Sequence, residues 1–254
     1  MIFDNGPYLC VGADPHDEVL DQWGLENSVR GLRDFNKLFV DSLPSELEIV
    51  KPQVALYESF GSRGLAELES LLLELNGLGK YVIADAKRSD IGSSMTGYAN
   101  AWLSAEAPFL ANALTVSPFL GVGSLRSTFE LAAMNGKHVF VLVATSNPEA
   151  VKLQSNGLSK SILDQLIEIN SKSVGVVIGA TVDLEKYGLA GSLSSSSSPI
   201  LAPGFGVQGA DLAQTGNIFG VLSSRVIANV SRSILAGEKS SLGSRIAKAL
   251  GELS

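Results

Sequence analysis

Residues 80–94 read KYVIADAKRSDIGSS. Tyr81 to Ala84 are apolar at consecutive positions, which is how a strand buried on both faces reads, as in a parallel sheet covered by helices. Charges follow at once: Asp85, Lys87 and, three residues further on, Asp90. Asp85 and Lys87 are two apart, so they point to one side for as long as the strand persists. Asp90 falls beyond it. An Asp–Lys–Asp array in a partly dry site favours the charged form of each member and keeps an ammonium ready as a proton donor. An isolated Asp-x-Lys is usually a surface ion pair of little energetic weight. Directly after a buried strand, it becomes a candidate catalytic centre.

The same unit recurs on both sides of this stretch. Strand-length apolar runs begin at Tyr8 (YLCVGA), Leu47 (LEIVK), Ala111 (ANALTV), His138 (HVFVLVAT), Val174 (VGVVIGA), Ser198 (SPILAP) and Asn217 (NIFGVL). Helical stripes lie between them. Val29, Leu32, Phe35 and Phe39 step by three and four, and so do Leu65, Leu68, Leu72 and Leu75, which end in the C-cap signal Asn76-Gly77. Ile162, Leu166 and Ile169 form another stripe, and Leu242, Ile246 and Leu250 close the chain. About eight strand–helix units with no break in composition predict one α/β domain over residues 1–254, a (β/α)8 TIM barrel whose sixth and seventh helices are short. A doubly wound open sheet is the alternative, weakened because no GxGxxG follows the first strand.

Composition excludes several classes. Nineteen basic against 26 acidic residues leave a net charge of −7, a poor balance for a nucleic-acid partner, whose affinity comes mainly from phosphate neutralisation. The single Cys10 cannot form an intramolecular disulfide and suits a reducing compartment. The N-terminus lacks a basic signal-peptide region, and no apolar stretch approaches the ~20 residues of a membrane span. The expected location is cytoplasmic. GSLSSSSSP at 191–199 reads as a flexible surface loop with no catalytic role.

In a barrel, the residues just after the strands form the site. Asp14 follows the first run, Lys51 ends the second, and Thr145, Ser146 and Asn147 follow the fifth. PGFGVQGAD at 203–211 follows the seventh, with Gln208 and Gly209 inside it, and Ser223-Ser224-Arg225 follows the run read as the eighth. Two such loops match the common phosphate site of barrels: glycines let backbone N–H groups approach an anion, and Arg225 offers a forked contact. His16 and His138 are far apart in sequence and suggest neither a triad nor a metal site. Trp23, Trp102 and Cys10 read as packing residues.

Together, DAKRSDIGS at 85–93, TSNPE at 145–149, APGFGVQG at 202–209 and Arg225 resemble the orotidine 5′-phosphate decarboxylase family, in its longer-chain DAKR subgroup. The resemblance implies decarboxylation of orotidine 5′-phosphate to UMP and CO2 in pyrimidine biosynthesis, with no cofactor and no metal. It implies that Asp14 and Lys51 contact ribose hydroxyls, with Lys51 also touching Asp85. Asp85 would lie beside the substrate carboxylate and Lys87 would protonate C6. Asp90 would act in the neighbouring subunit's site of a homodimer. Ser146 would bind the pyrimidine amide edge, and Gln208, Gly209 and Arg225 would hold the phosphate. Ser94 stands where the family usually has Thr, keeping a hydroxyl for substrate, and Ser89 where the subgroup often has Gly. Two alternatives share the barrel: a metal-dependent sugar-phosphate decarboxylase or aldolase, and a nucleotide-binding barrel without catalysis.

Overall fold

The computed structural model describes residues 3, 5–207 and 209–253. Eight parallel strands pair in chain order and close into a barrel: β1 Tyr8–Ala13, β2 Ile49–Pro52, β3 Tyr81–Arg88, β4 Ala113–Val116, β5 His138–Ala144, β6 Val174–Ile178, β7 Ile200–Pro203 and β8 Val226–Val230. The doubly wound alternative is thereby set aside, because β1 pairs with both β2 and β8.

Side chains alternate across each strand, so every second residue faces the barrel interior. The lower interior is filled by Cys10, Ile49, Tyr81, Ile83, Ala113, Phe140, Val177, Leu201 and Ile227. Phe3 closes this cluster from the N-terminal side, meeting Tyr8, Tyr81, His138 and Phe140 edge-on. The Tyr81 hydroxyl and His138 Nδ1 lie 2.8 Å apart beside it. The intervening residues of the strands, such as Leu9, Val11, Val50, Val82 and Leu114, pack outward on the helices in a second, larger core. A strand apolar at consecutive positions thus serves two cores at once.

The helical stripes bury the predicted faces. Helix Val29–Asp41 starts at Ser28, whose hydroxyl accepts the Gly31 N–H, and buries Leu32, Phe35 and Phe39. Helix Gly61–Gly77 buries Leu68, Leu72 and Leu75. It stops where Gly79 turns to φ +70°, letting Lys80 donate its N–H back to the Leu75 carbonyl. Burying each such Leu is worth about 1.5–3 kcal/mol. Trp23 and Trp102 are buried packing residues, stacked on Phe35 and Phe109 respectively. The helices after β6 and β7, Ala190–Ser194 and Thr215–Phe219, have five residues each.

Three expectations are corrected here. NIFGVL at 217–222 is not the eighth strand. Its first half ends helix Thr215–Phe219, and its second half belongs to the 3-10 turn Gly220–Arg225 that leads into β8. Arg225 therefore precedes β8 and lies at the N-terminal end of the barrel. It is buried there, donating from Nη1 to the Ser198 carbonyl at 2.7 Å and from Nη2 to the Leu193 carbonyl. Those carbonyls belong to the serine-rich segment, which is no free loop: it carries helix Ala190–Ser194, anchored by the buried Leu193.

Candidate active site

Above the apolar floor, the next inward positions of the same strands turn polar. Asp14, Lys51, Gln53, Asp85, Lys87, Thr115 and Asn229 line a cavity of about 480 Å³ at the C-terminal ends of the strands, together with Leu142, Val177, Leu201 and Pro203. The register accounts for this tier. Gly12 pairs with Lys51, Gln53 bridges Asp85, and Pro203 pairs with Asn229.

Asp85 is the hub. Its Oδ2 receives Lys51 Nζ at 2.8 Å and Gln53 Nε2 at 3.2 Å. Its Oδ1 receives Lys87 Nζ at 2.6 Å and the Thr115 hydroxyl at 2.9 Å. Burial by itself would raise the Asp85 carboxyl, but Lys51 and then Lys87 outweigh it and hold it well below the usual carboxylate range. Burial would likewise lower the Lys51 ammonium, but Asp85 and then Asp14 outweigh it and keep it above the ordinary lysine value. Lys51 is enclosed, whereas the Lys87 side chain is 46% exposed and opens on the cavity. The Cys10 thiol, donating to Asn229 Oδ1 at 3.5 Å beneath the site, is pushed up to about 12 by burial and is held as an inert thiol.

Lys87 takes φ +48°, a left-handed conformation rare for a side-chain-bearing residue. It coincides with a register shift between Ala84 and Arg88 against β4. The next residue is firmly held: Ser117 donates its N–H to the Arg88 carbonyl at 2.8 Å, and the Arg88 guanidinium pairs with Glu58 and lies 5.3 Å from the Tyr98 ring centroid.

One edge of the cavity carries Asp14, whose Oδ1 is buried without a hydrogen-bond partner, and Ser231, whose hydroxyl is in the same state. A buried unpaired carboxylate oxygen costs free energy unless a ligand hydroxyl meets it. Thr145, Ser146 and Asn147 line another edge after β5. Gly204, Phe205 and Val207 line a third, in the loop after β7. That loop folds on itself: Gly206 donates its N–H to the Ala210 carbonyl at 2.8 Å and Gly209 donates to Gly206 at 2.9 Å. Gly206, at φ +78°, lies so near Ser233 that a Cβ there would sit 2.4 Å from Ser233 Oγ.

Of the residues predicted from sequence, Asp14, Lys51, Asp85, Lys87 and Ser146 share the cavity. Gly209 belongs to the loop but faces a separate cavity against the C-terminal helix. Gln208 lies outside the described residues. Asp90 and Ser94 do not line their own chain's cavity. Asp90 accepts the Ile91 N–H at 2.8 Å, and Ser94 is exposed on helix Gly92–Leu103. Arg225 is replaced at the site by Arg232, which follows β8 in Ser231-Arg232-Ser233 and lines the cavity beside the glycine loop. Its signal was present in the apolar run VIANV at 226–230, which ends in SRS. Gln53, Thr115 and Asn229 were also missed. Each sits within or beside a strand, and only its inward parity marks it.

A closed parallel barrel with a Lys–Asp–Lys array at its mouth, next to a glycine loop after strand seven and an arginine after strand eight, has the architecture of a (β/α)8-barrel enzyme. The family model for orotidine 5′-phosphate decarboxylase / HUMPS matches residues 7–241. The chain is 45% identical to orotidine 5′-phosphate decarboxylase of Corynebacterium glutamicum over 242 residues, 90% of this chain and 85% of the relative. It is 42% identical to that of Salinispora tropica over 247 residues, 93% and 87% of the two chains. A crystal structure from Streptomyces avermitilis superposes with a TM-score of 0.90 at 41% identity, covering 98% of this chain and 90% of that one. The chain belongs to the orotidine 5′-phosphate decarboxylase / HUMPS family.

Proposed function

We propose that this chain decarboxylates orotidine 5′-phosphate to UMP and CO2, a step of pyrimidine biosynthesis, without a cofactor. The observation that carries this reading is the Lys87–Asp85 pair at 2.6 Å in a cavity whose second lysine, Lys51, is buried against the same carboxylate. Breaking the bond from C6 to the departing carboxylate leaves an electron pair on C6 with no adjacent π-acceptor. A fixed ammonium stabilises that charge in a preorganised site, and Lys87 then delivers its proton to C6, ending as a neutral amine. Enzymatic rate enhancements correspond to about 8–23 kcal/mol of barrier lowering, and this reaction draws on the upper part of that range.

The remaining residues divide the substrate among them. Asp14, with its unpaired buried oxygen, is suited to accept a ribose hydroxyl, and Lys51 to assist it. Ser146 faces the pyrimidine edge. Arg232 and the backbone of Gly204 and Phe205 take the phosphate, whose binding energy drives loop closure. Both Asp85 oxygens face ammonium groups, a setting hostile to a divalent cation, which disfavours the metal-dependent alternative.

We further propose a cytoplasmic homodimer in which Asp90 and Ser94 complete the partner's site. Neither lines the cavity of its own chain. Ile91 and Tyr98 beside them, with Phe119 and Leu120 after the neighbouring strand β4, are exposed apolar side chains suited to a second copy. The single buried thiol suits a reducing compartment. Among the described residues, no helix is long and apolar enough to cross a membrane.

Purified protein incubated with orotidine 5′-phosphate, with and without chelator, should show the ultraviolet absorbance change of decarboxylation in both samples. Phosphate binding without turnover would leave only the nucleotide-binding alternative, and loss of turnover with chelator would favour the metal-dependent one.

A further inference from the structure

We propose that Thr115 is a positioning residue that fixes the Lys87–Asp85 pair for proton delivery, a role that rests on reading Lys87 as the proton donor. Thr115 is 1% exposed on β4 and makes two hydrogen bonds of opposite sense. Its hydroxyl donates to Asp85 Oδ1 at 2.9 Å and accepts the backbone N–H of Lys87 at 2.9 Å. An ionised carboxylate only accepts and an amide N–H only donates, so the single hydroxyl proton has one possible direction.

The Lys87 N–H needs such a partner. The β3–β4 register slips between Ala84 and Arg88, and Lys87 stands at φ +48° within the slip. A left-handed lysine persists only where its surroundings over-determine it. On its C-terminal side the Arg88 carbonyl is tied to Ser117. On its N-terminal side Thr115 ties the Lys87 main chain to the very carboxylate that the Lys87 ammonium meets. One oxygen atom thereby couples the backbone of the lysine to the partner of its head group. Threonine is stiff at χ1, so the oxygen is held in place without help from substrate.

The test compares Thr115→Val, which keeps the shape and removes the hydroxyl, with Thr115→Ser, which restores it. Thr115→Ala serves as a second hydroxyl deletion if the valine variant does not fold. Loss of the hydroxyl should lower kcat about tenfold or more, with KM for orotidine 5′-phosphate and the Kd for UMP within about threefold of wild type. The serine variant should recover kcat to within about threefold. Wild-type kcat in the valine or alanine variant, or an equal loss of UMP affinity and kcat, would overturn the positioning role. So would a serine variant as slow as the deletions. Turnover by Lys87→Ala, run alongside, would instead overturn the reading of Lys87 on which the role rests.

Discussion

Lys87 Nζ meets Asp85 Oδ1 at 2.6 Å although the two residues belong to one strand, and the lysine reaches it from a left-handed backbone. In a regular strand, side chains two apart run side by side along one face. The slip against β4 turns the lysine so that its ammonium is both paired with the carboxylate and open to the cavity.

That geometry makes Lys87 the group whose loss removes chemistry and spares binding. Lys87→Ala should lower kcat by roughly 10²–10⁴-fold or more, the span of a general acid. The Kd for UMP, measured by calorimetry, should change only a few-fold. A large parallel loss of UMP affinity would show that Lys87 mainly binds.

The Asp85 carboxyl is held below its ordinary value of 3.8 by the two lysines. Its folded state therefore binds protons less readily than the unfolded chain, and the stability it contributes is present above that ordinary value. The contribution is lost as pH falls below about 4 toward the folded value. Asp85→Asn removes the anion between two buried or half-buried cations and should destabilise by about 3–5 kcal/mol at neutral pH. Thermal melts of both proteins should converge as the pH is lowered. A gap that stays constant between neutrality and pH 3 would contradict this.

The two arginines near β8 should separate cleanly. Arg232→Met should raise KM for orotidine 5′-phosphate by about 10–100-fold, the worth of a charge-assisted bond. Arg225→Met should leave KM within about threefold. It strands the Ser198 and Leu193 carbonyls at the other end of the barrel, at about 1–3 kcal/mol, and should lower Tm by several degrees. A reversed pattern would restore the phosphate role to Arg225.

Mixed subunits test the shared site. Lys87→Ala and Asp90→Asn chains, each inactive alone, should regain activity on mixing, because each heterodimer then holds one fully native site. With subunit exchange confirmed by mass spectrometry, continued inactivity would place Asp90 in its own chain's chemistry or in none.

The strand-end charges were legible because a buried strand leaves few reasons for an Asp or Lys at its end. Asp14, Lys51, Asp85 and Lys87 stood out on that ground alone. Thr115, Gln53 and Asn229 did not, since a Thr, Gln or Asn beside an apolar run carries no excess cost that announces a role. The eighth strand shows how local apolarity misleads. NIFGVL and VIANV are both strand-length runs, each followed by a Ser-Arg pair. Only the pairing of Val226–Val230 with β7 and β1 decides which one completes the barrel.

Alternation of buried strands with helical stripes therefore determined the barrel, and strand-end polarity determined where its chemistry lies, because both follow from what a buried backbone tolerates nearby. The tertiary structure decided which arginine reaches the site, which hydroxyl braces the lysine, and how Asp85 divides its oxygens between two cations. Those depend on register between strands distant in sequence. A single slip between β3 and β4 sets where the Lys87 ammonium points, and no local pattern around Lys87 encodes the strand it slips against.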